Sequence, residues 1–339
     1  MRTAFITGAT GFIGRHLVDL LLARGCEVRC LVRSPARAAH LDRDGIRLVT
    51  GSLDDVSRWQ GSLDGCDAVF NVGGLCAARS RAELFAINGS AVGALADACA
   101  ALETPPVLVH VSSLAAAGPP PRGRAVRDER DSFAPVSDYG ASKLAGEVEL
   151  RRRAGRLPAT AVQPGVVFGP HDPKILTLYK MIDGMRLHLP MGVRKVPLSL
   201  IHVSDLVDLV VAAANRGERM APPAGDRHDG SGVYHACDDR EHPGYDDLGR
   251  RVARALGRRV AVVPVPTAAA LPIVTVAEKV SNLLGHASIV SPDKLREATA
   301  RSWAASSGKA REQLGFTAAA PIDDRLRETG DWFRANRLL

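Results

Sequence analysis

Over its first half the chain alternates short apolar runs with longer segments of helical spacing. "TAFIT" (3–7), "EVRCLVR" (27–33), "IRLVTG" (46–51), "DAVFNVGG" (67–74) and "VLVHVSS" (107–113) have the length and apolar density of strands. Between them, "GRHLVDLLLARG" (14–25) places apolar residues at helical spacing and stops at Gly25. "AELFAINGSAVGALADACAA" (82–101) and "DYGASKLAGEVELRRR" (138–153) read as further helices, and "ATAVQPGVVFG" (159–169) returns to strand. Strands alternating with helices predict a parallel sheet covered on both faces, a doubly wound α/β fold of the Rossmann type.

The second half is less regular. "GPPPRGRAVRDERDSFAPVSD" (118–138) is a loop rich in proline, glycine and charge, of a length that often serves as a lid. "PAGDRHDGSG" (223–232) is a polar turn region, while "YDDLGRRVARALG" (245–257) and "SGKAREQLGF" (307–316) read as helices. The most apolar late stretch, "VAVVPVPTAAALPIVTVAEKV" (260–280), carries three prolines and is too short to cross a bilayer comfortably. It is expected to wall an apolar pocket or core, with weak contact to a membrane surface as the alternative. The expected division is a dinucleotide-binding domain over 1–168, to which segments near 196–215 return, and a mainly substrate-binding α/β region over 169–339.

Composition narrows the function classes. With 339 residues, 46% apolar and 24% charged, the chain reads as a soluble globular protein with a sizeable core. The net charge of +7 suits an anionic ligand. The cations are scattered, however, and "RRRAGR" (151–156) reads as a solvated helix end, where positive charge complements the macrodipole. Aromatics at 4% offer few stacking surfaces, so no nucleic-acid partner is expected. Six cysteines, at 26, 30, 66, 76, 99 and 237, form no CxxC pair. They are expected to be reduced, largely buried thiols of a cytoplasmic protein, and no metal site is expected. No secretory leader is expected, because the glycine motif begins by residue 7, where a leader's apolar region would run.

That motif, "TGATGFIG", lies between the first strand and the first helix, the context that dinucleotide binding requires. Gly8 permits the tight turn, Gly11 lets backbone approach a pyrophosphate, and Gly14 lets helix pack on strand. The helix N-terminus adds free N–H groups and a positive dipole end. Thr7, Thr10, Phe12 and Ile13 complete the expected cradle. The second strand ends at Arg33, where an NAD-preferring protein usually carries an acidic residue for the adenosine ribose; NADP(H) is therefore expected over NAD(H).

Candidate chemistry falls in "VHVSSLAAAG" and "YGASK". Tyr139 and Lys143 stand four apart and share a helix face. A tyrosine of pKa ~10 is a poor base at neutral pH; a neighbouring ammonium favours the phenolate and makes it a usable acid/base for an alcohol proton. Ser113, rather than Ser112, is expected to bond the same oxygen.

In these three elements the sequence resembles the extended short-chain dehydrogenase/reductase family, within the NAD-dependent epimerase/dehydratase superfamily. Its fingerprint of TGxxGxxG, Ser and YxxxK appears as "TGATGFIG", Ser113 and "YGASK", and "VVFGP" and "IHVSDLVD" match further landmarks. The resemblance implies hydride transfer with Tyr139 as acid/base, Lys143 holding the nicotinamide ribose and Ser113 orienting the substrate oxygen. It also implies a role for Asn88 near the active site, cofactor contacts from Ser52, Leu53, Gly73, Gly74, Pro164 and Val166, and a homodimer built on segments 83–101 and 138–152.

Departures from the pattern narrow the substrate. Ser52 stands where the family often has an adenine-contacting Asp. Val166 replaces the Asn that grips a sugar nucleotide's diphosphate, and Leu198 and Ser199 replace an Arg-Asp pair. Leu114 and Ala115 stand where dehydratases carry Asp-Glu. The chain is thus most similar to the 3β-hydroxysteroid dehydrogenase and dihydroflavonol reductase branch, which implies a small, fairly apolar alcohol or ketone substrate. Two other readings stay open: a nucleotide-sugar epimerase or reductase using Lys174, Lys180, Arg186, Arg194 or Lys195 as phosphate contacts, and a non-catalytic NADP-sensing protein.

Overall fold

The computed structural model describes residues 1–222, 230–283, 288 and 291–339; most of the polar stretch at 223–232 lies outside them. Seven parallel strands form the central sheet: β1 (Thr3–Thr7), β2 (Glu27–Val32), β3 (Ile46–Thr50), β4 (Ala68–Asn71), β5 (Val107–Val111), β6 (Ala159–Pro164) and β7 (Val233–Ala236). Their order, β7-β6-β5-β4-β1-β2-β3, reverses direction between β1 and β4. That reversal opens the crevice in which doubly wound sheets bind ligands, at the carboxyl ends of the strands.

The apolar runs produce this sheet because it is buried on both faces. Ala4 and Ile6 of β1 join Val28 and Cys30 of β2 and Phe70 of β4 in one core, under the helices Phe12–Ala23 and Val203–Arg216. The intervening residues Phe5, Leu31, Val69 and Leu108 point to the opposite core, which holds Trp59, Leu95 and Leu150. Phe5 stacks on Trp59 with ring centroids 5.2 Å apart. A third core, with Phe168, Tyr179, Val252, Leu326 and Phe333, lies among the helices of the second half.

Three local features depart from the sequence pattern. The helix read over 82–101 is interrupted: Arg81–Phe85 and Ala91–Ala100 flank a π-helical turn at Ala86–Ser90. β7 escapes the pattern because it is only four residues long and completes the sheet from far along the chain. The expected lid at 118–138 is fastened down by the buried Arg127, whose guanidinium donates to the carbonyls of Ala117, Gly118, Pro119, Asp131 and Ser132 at 2.6–3.2 Å. Five bonds to one buried side chain fasten this segment to the body of the protein. Among the described residues, no helix is long and apolar enough to cross a membrane.

Candidate active site

The glycine loop is made of close backbone approaches. Gly8 has φ +72°, and a Cβ there would stand 2.6 Å from the amide nitrogen of Gly73 after β4. A Cβ on Gly14 would stand 2.1 Å from the Gly8 carbonyl oxygen. Both positions exclude any side chain. Gly11 caps the helix Phe12–Ala23 without a side-chain acceptor, so the first amides of that helix face the crevice with no protein capping group. This fits a dinucleotide pyrophosphate. Thr10 and Gly11 are exposed at the loop and Phe12 and Ile13 are partly buried, whereas Thr7 is buried and holds the frame. Its hydroxyl accepts from Gly73 N at 3.1 Å and donates to Asn71 Oδ1 at 2.6 Å. Asn71 Nδ2 in turn meets His110 Nδ1 at 3.0 Å, so one buried polar chain ties the ends of β1, β4 and β5 together.

At the adenosine end, Arg33 is exposed beyond β2. Ser52 gives its hydroxyl to Asp54, whose carboxyl is held below its ordinary range by that bond first and by Arg33 to a smaller extent. Leu53 borders Gly73, where an added Cβ would approach Leu53 Cδ1 to 2.7 Å.

The second half of the site stands on the helix Asp138–Arg152. Ser137 caps it by accepting from Gly140 N at 2.9 Å. Asp293, more than 150 residues later, accepts from Asp138 N at 2.8 Å and Tyr139 N at 3.2 Å. The first amides of this helix are therefore paired by side chains, two of the amides by a single carboxylate from a distant segment. Gly140 lets the helix rest on the Ala115 carbonyl, 2.3 Å from where a Cβ would be, and this contact brings Tyr139 to Ser113. Ser113 caps the short helix Leu114–Ala117 by accepting from Ala115 N at 3.1 Å, and its hydroxyl stands close enough to the Tyr139 phenol to lower its pKa. Ser112 is turned away, its hydroxyl donated to the buried Glu147. Gln163 Nε2 also donates to Glu147, at 2.8 and 2.9 Å to its two oxygens.

Burial raises the phenol of Tyr139 well above its ordinary value, with Cys76 adding to the rise and Ser113 opposing it. Lys143 is buried, and its ammonium donates to the Val111 carbonyl at 2.8 Å. Burial lowers its pKa to about 8. A Cβ on Gly74 would lie 3.5 Å from Lys143 Nζ and 2.9 Å from Asn88 Oδ1, so glycine there keeps this corner open. Asn88, within the π-helical turn, pairs with both backbone groups of Leu75 at 2.8 Å and with Ser142 Oγ at 2.9 Å. Its amide is occupied in holding the loop after β4 against the helix Asp138–Arg152. Cys76, next in that loop, is the exception among the cysteines: the other five are buried, whereas it is exposed and contacts the Tyr139 phenol.

In front of Ser113 and Tyr139 lies a cavity of about 580 Å³. Leu114, Pro164, Val166, Met191, Leu198, Val274, Leu295 and Trp303 line it. Arg194, Lys195, Arg250 and Lys294 reach the same cavity, while Lys174, Lys180 and Arg186 are not among its walls. Pro164 and Val166, expected as cofactor contacts, are among the walls of this cavity. Of the late apolar stretch, Val262, Pro264 and Val274 line the cavity; Leu271, Ile273 and Val276 of the helix Thr267–Leu283 point outward and are exposed.

Residues 4–224 match the NAD dependent epimerase/dehydratase family, and the chain belongs to it. It is 29% identical over 333 residues to a ceramide reductase of Caulobacter vibrioides, covering 97% of this chain and 94% of that protein. It is 31% identical over 226 residues to sterol demethylase protein B of Methylococcus capsulatus, covering 64% and 68%. Among solved structures, the dTDP-glucose 4,6-dehydratase DesIV of Streptomyces venezuelae, with NAD and TYD bound, superposes with TM-score 0.77 at 20% identity over 99% and 98% of the two chains, a likeness of fold. The chain is an NAD(P)-dependent oxidoreductase of this extended short-chain class.

Residue reading of the sequence missed Asp293, Lys294 and Glu297, charged positions on a helix that looks like any solvated one. It missed Asn71 and Glu147 as well. The polar Asn71 within the apolar run "AVFN" was the available signal.

Proposed function

We propose that the protein interconverts a hydroxyl and a carbonyl on a fairly apolar small molecule, using NADP(H). The observation that carries this reading is the cavity itself: Ser113 and Tyr139 stand in its wall, and Val166 and Leu198 present hydrocarbon where a diphosphate would need polar partners. When bound, the nicotinamide supplies or accepts the hydride. Tyr139 gives its phenolic proton to the carbonyl oxygen in reduction and takes it back in oxidation, and Ser113 holds the same oxygen. Burial keeps the phenol protonated at neutral pH, which suits proton donation. Lys143 is placed to hold the ribose on the open side left by Gly74. The exposed Arg33 and the absence of an acidic residue at the end of β2 support the phosphorylated cofactor. The sterol and ceramide names of the relatives above agree with an apolar, lipid-like substrate, and the outward Leu271, Ile273 and Val276 suit delivery from an amphiphile-rich surface.

A second reading, conversion of a sugar nucleotide, has Arg194, Lys195 and Arg250 at the cavity in its favour. Nicotinamide absorbance, followed with NADP and NAD against sterols, ceramide-like ketones, flavanonols and UDP- and GDP-sugars, separates the two. Turnover of an apolar alcohol or ketone, faster with NADP, is expected; conversion of a sugar nucleotide alone overturns the proposal. Tyr139→Phe is expected to reduce turnover by about 10²- to 10⁴-fold with NADPH fluorescence titration unchanged. Intact turnover would remove Tyr139 as the acid/base.

A further inference from the structure

The helix Pro292–Ala298 belongs to the substrate side, yet it is fastened to the beginning of the catalytic helix by three separate contacts. Asp293 takes the amides of Asp138 and Tyr139. Glu297 Oε1 accepts from Ser137 Oγ at 2.5 Å. Lys294 places Nζ 4.0 Å from the centroid of the Tyr139 ring. Lys294 also donates to Glu297 Oε2 at 2.8 Å, and both side chains line the cavity beside the phenol. Trp303 Nε1 bonds the Glu297 carbonyl at 2.8 Å, securing the far end of the helix.

We propose that Lys294 is a positioning residue for Tyr139: its ammonium, held over the ring by this clamp, stabilises the phenolate and counters the Glu297 carboxylate. The inference deepens the reading of Tyr139 as acid/base and rests on it for its catalytic consequence. An ammonium over an aromatic face is attracted to it, and the attraction grows when the ring carries a phenolate charge, because opposite charges in a partly desolvated site interact strongly. An isolated i,i+3 ion pair on a solvated helix would contribute little; this one faces the reacting group.

The other groups around the phenol do not supply the same charge. On its own helix, Lys143 is bonded to the Val111 carbonyl, and Asp138 is paired with Arg81 at 3.0 Å. The loop after β4 brings Cys76, which adds to the rise of the phenol's pKa, and the loop after β5 brings Ser113, which opposes it; neither is a cation. From the clamping helix come Glu297 and Asp293, the latter paired with Arg296 at 3.2 Å. Lys294 is thus the cation lying against the ring.

The test reads the phenol directly and needs no substrate. The chain has four tyrosines. With 3,5-difluorotyrosine incorporated, whose phenol ionises near neutral pH, the ¹⁹F signal of Tyr139 is identified by its loss in Tyr139→Phe and titrated with NADP⁺ bound. In Lys294→Met the midpoint is expected to rise by about one pH unit, a tenfold loss of phenolate at fixed pH. Lys294→Arg is expected to restore it, and Glu297→Gln to move it down. Opposite shifts from two neighbours on one helix are not produced by a helix that has merely come loose. Midpoints that stay at the wild-type value in both variants, or move the same way in both, overturn the proposal. Intact turnover in Tyr139→Phe would instead overturn the acid/base reading and leave these shifts standing.

Discussion

The two sides of the crevice are built differently. The cofactor side is made of backbone: Gly8, Gly14 and Gly73 come within about 75 residues of the amino terminus, and their shared surface admits no Cβ. The substrate side is made of side chains from segments scattered between Ser113 and Trp303, set against one another by hydrogen bonds such as those of Asp293 and Arg127. A site made of backbone has few solutions in sequence, because a positive φ strongly favours glycine and an approach of about 2 Å admits no Cβ at all. A site made of side chains has many, because any residue of suitable size and polarity can serve if its neighbours adjust.

The comparison can be broken most severely on the cofactor side. Gly14→Ala puts a methyl group against the Gly8 carbonyl, a backbone atom that cannot rotate away. The expected result is a loss of NADPH affinity of up to about 150-fold by fluorescence titration, since overpacking of this sort costs about 1–3 kcal/mol and displaces the loop. A variant that bound NADPH normally would show that the loop is not the cradle.

Lys143 lies where the two sides meet. Its folded pKa, about 8, is below its unfolded value, so between these pH values the unfolded chain binds more protons and stability rises with pH. Below the folded value the buried ammonium is a standing cost, on the order of 3 kcal/mol. Lys143→Met is expected to raise the thermal midpoint at pH 7 while abolishing turnover, and the gain should shrink as the pH approaches the unfolded lysine value. A lower midpoint across the whole range would mean that the bond to Val111 outweighs desolvation.

On the substrate side, Leu198→Asp puts a carboxylate into the hydrocarbon wall. It should raise KM for an apolar substrate by about 10- to 100-fold, given ~1–3 kcal/mol for a lost apolar contact, with NADPH affinity unchanged. The smallest effect is expected at Arg33, which is exposed. Arg33→Ala should narrow the preference for NADPH over NADH by roughly tenfold, the scale of one charge-assisted phosphate contact. An unchanged ratio would assign the preference elsewhere, and Asp54, bonded to Ser52 and close to Arg33, is the first place to look.

What was legible divides along the same line. The alternation of "TAFIT", "EVRCLVR" and "DAVFNVGG" with helical segments was sufficient for the parallel sheet, since strands buried on both faces must be apolar throughout. β7 was not legible: four residues carry too little pattern, and its pairing with β6 is chosen by tertiary contacts. "YGASK" placed Tyr139 and Lys143 on one helix face, yet nothing local indicated that Lys143 would bond Val111 or that Asp293 would cap the helix from a distance of more than 150 residues. The resemblance implies a role for Asn88 near the active site; that its amide bonds Leu75 and Ser142 is something a sequence cannot assign.

The sequence by itself determined the family, the sheet with its glycine loop, and the candidate groups, Ser113, Tyr139 and Lys143, that the fold brings to one crevice. Each of these depends on short-range spacing or on a residue type without substitutes. Tertiary structure alone decided the state of those groups: a phenol and an ammonium both perturbed by burial, a cysteine turned to the phenol, and a lysine from the carboxyl-terminal region laid over its ring. Desolvation and charge–charge contact depend on which distant segments pack around a group, and that is a property of the folded chain.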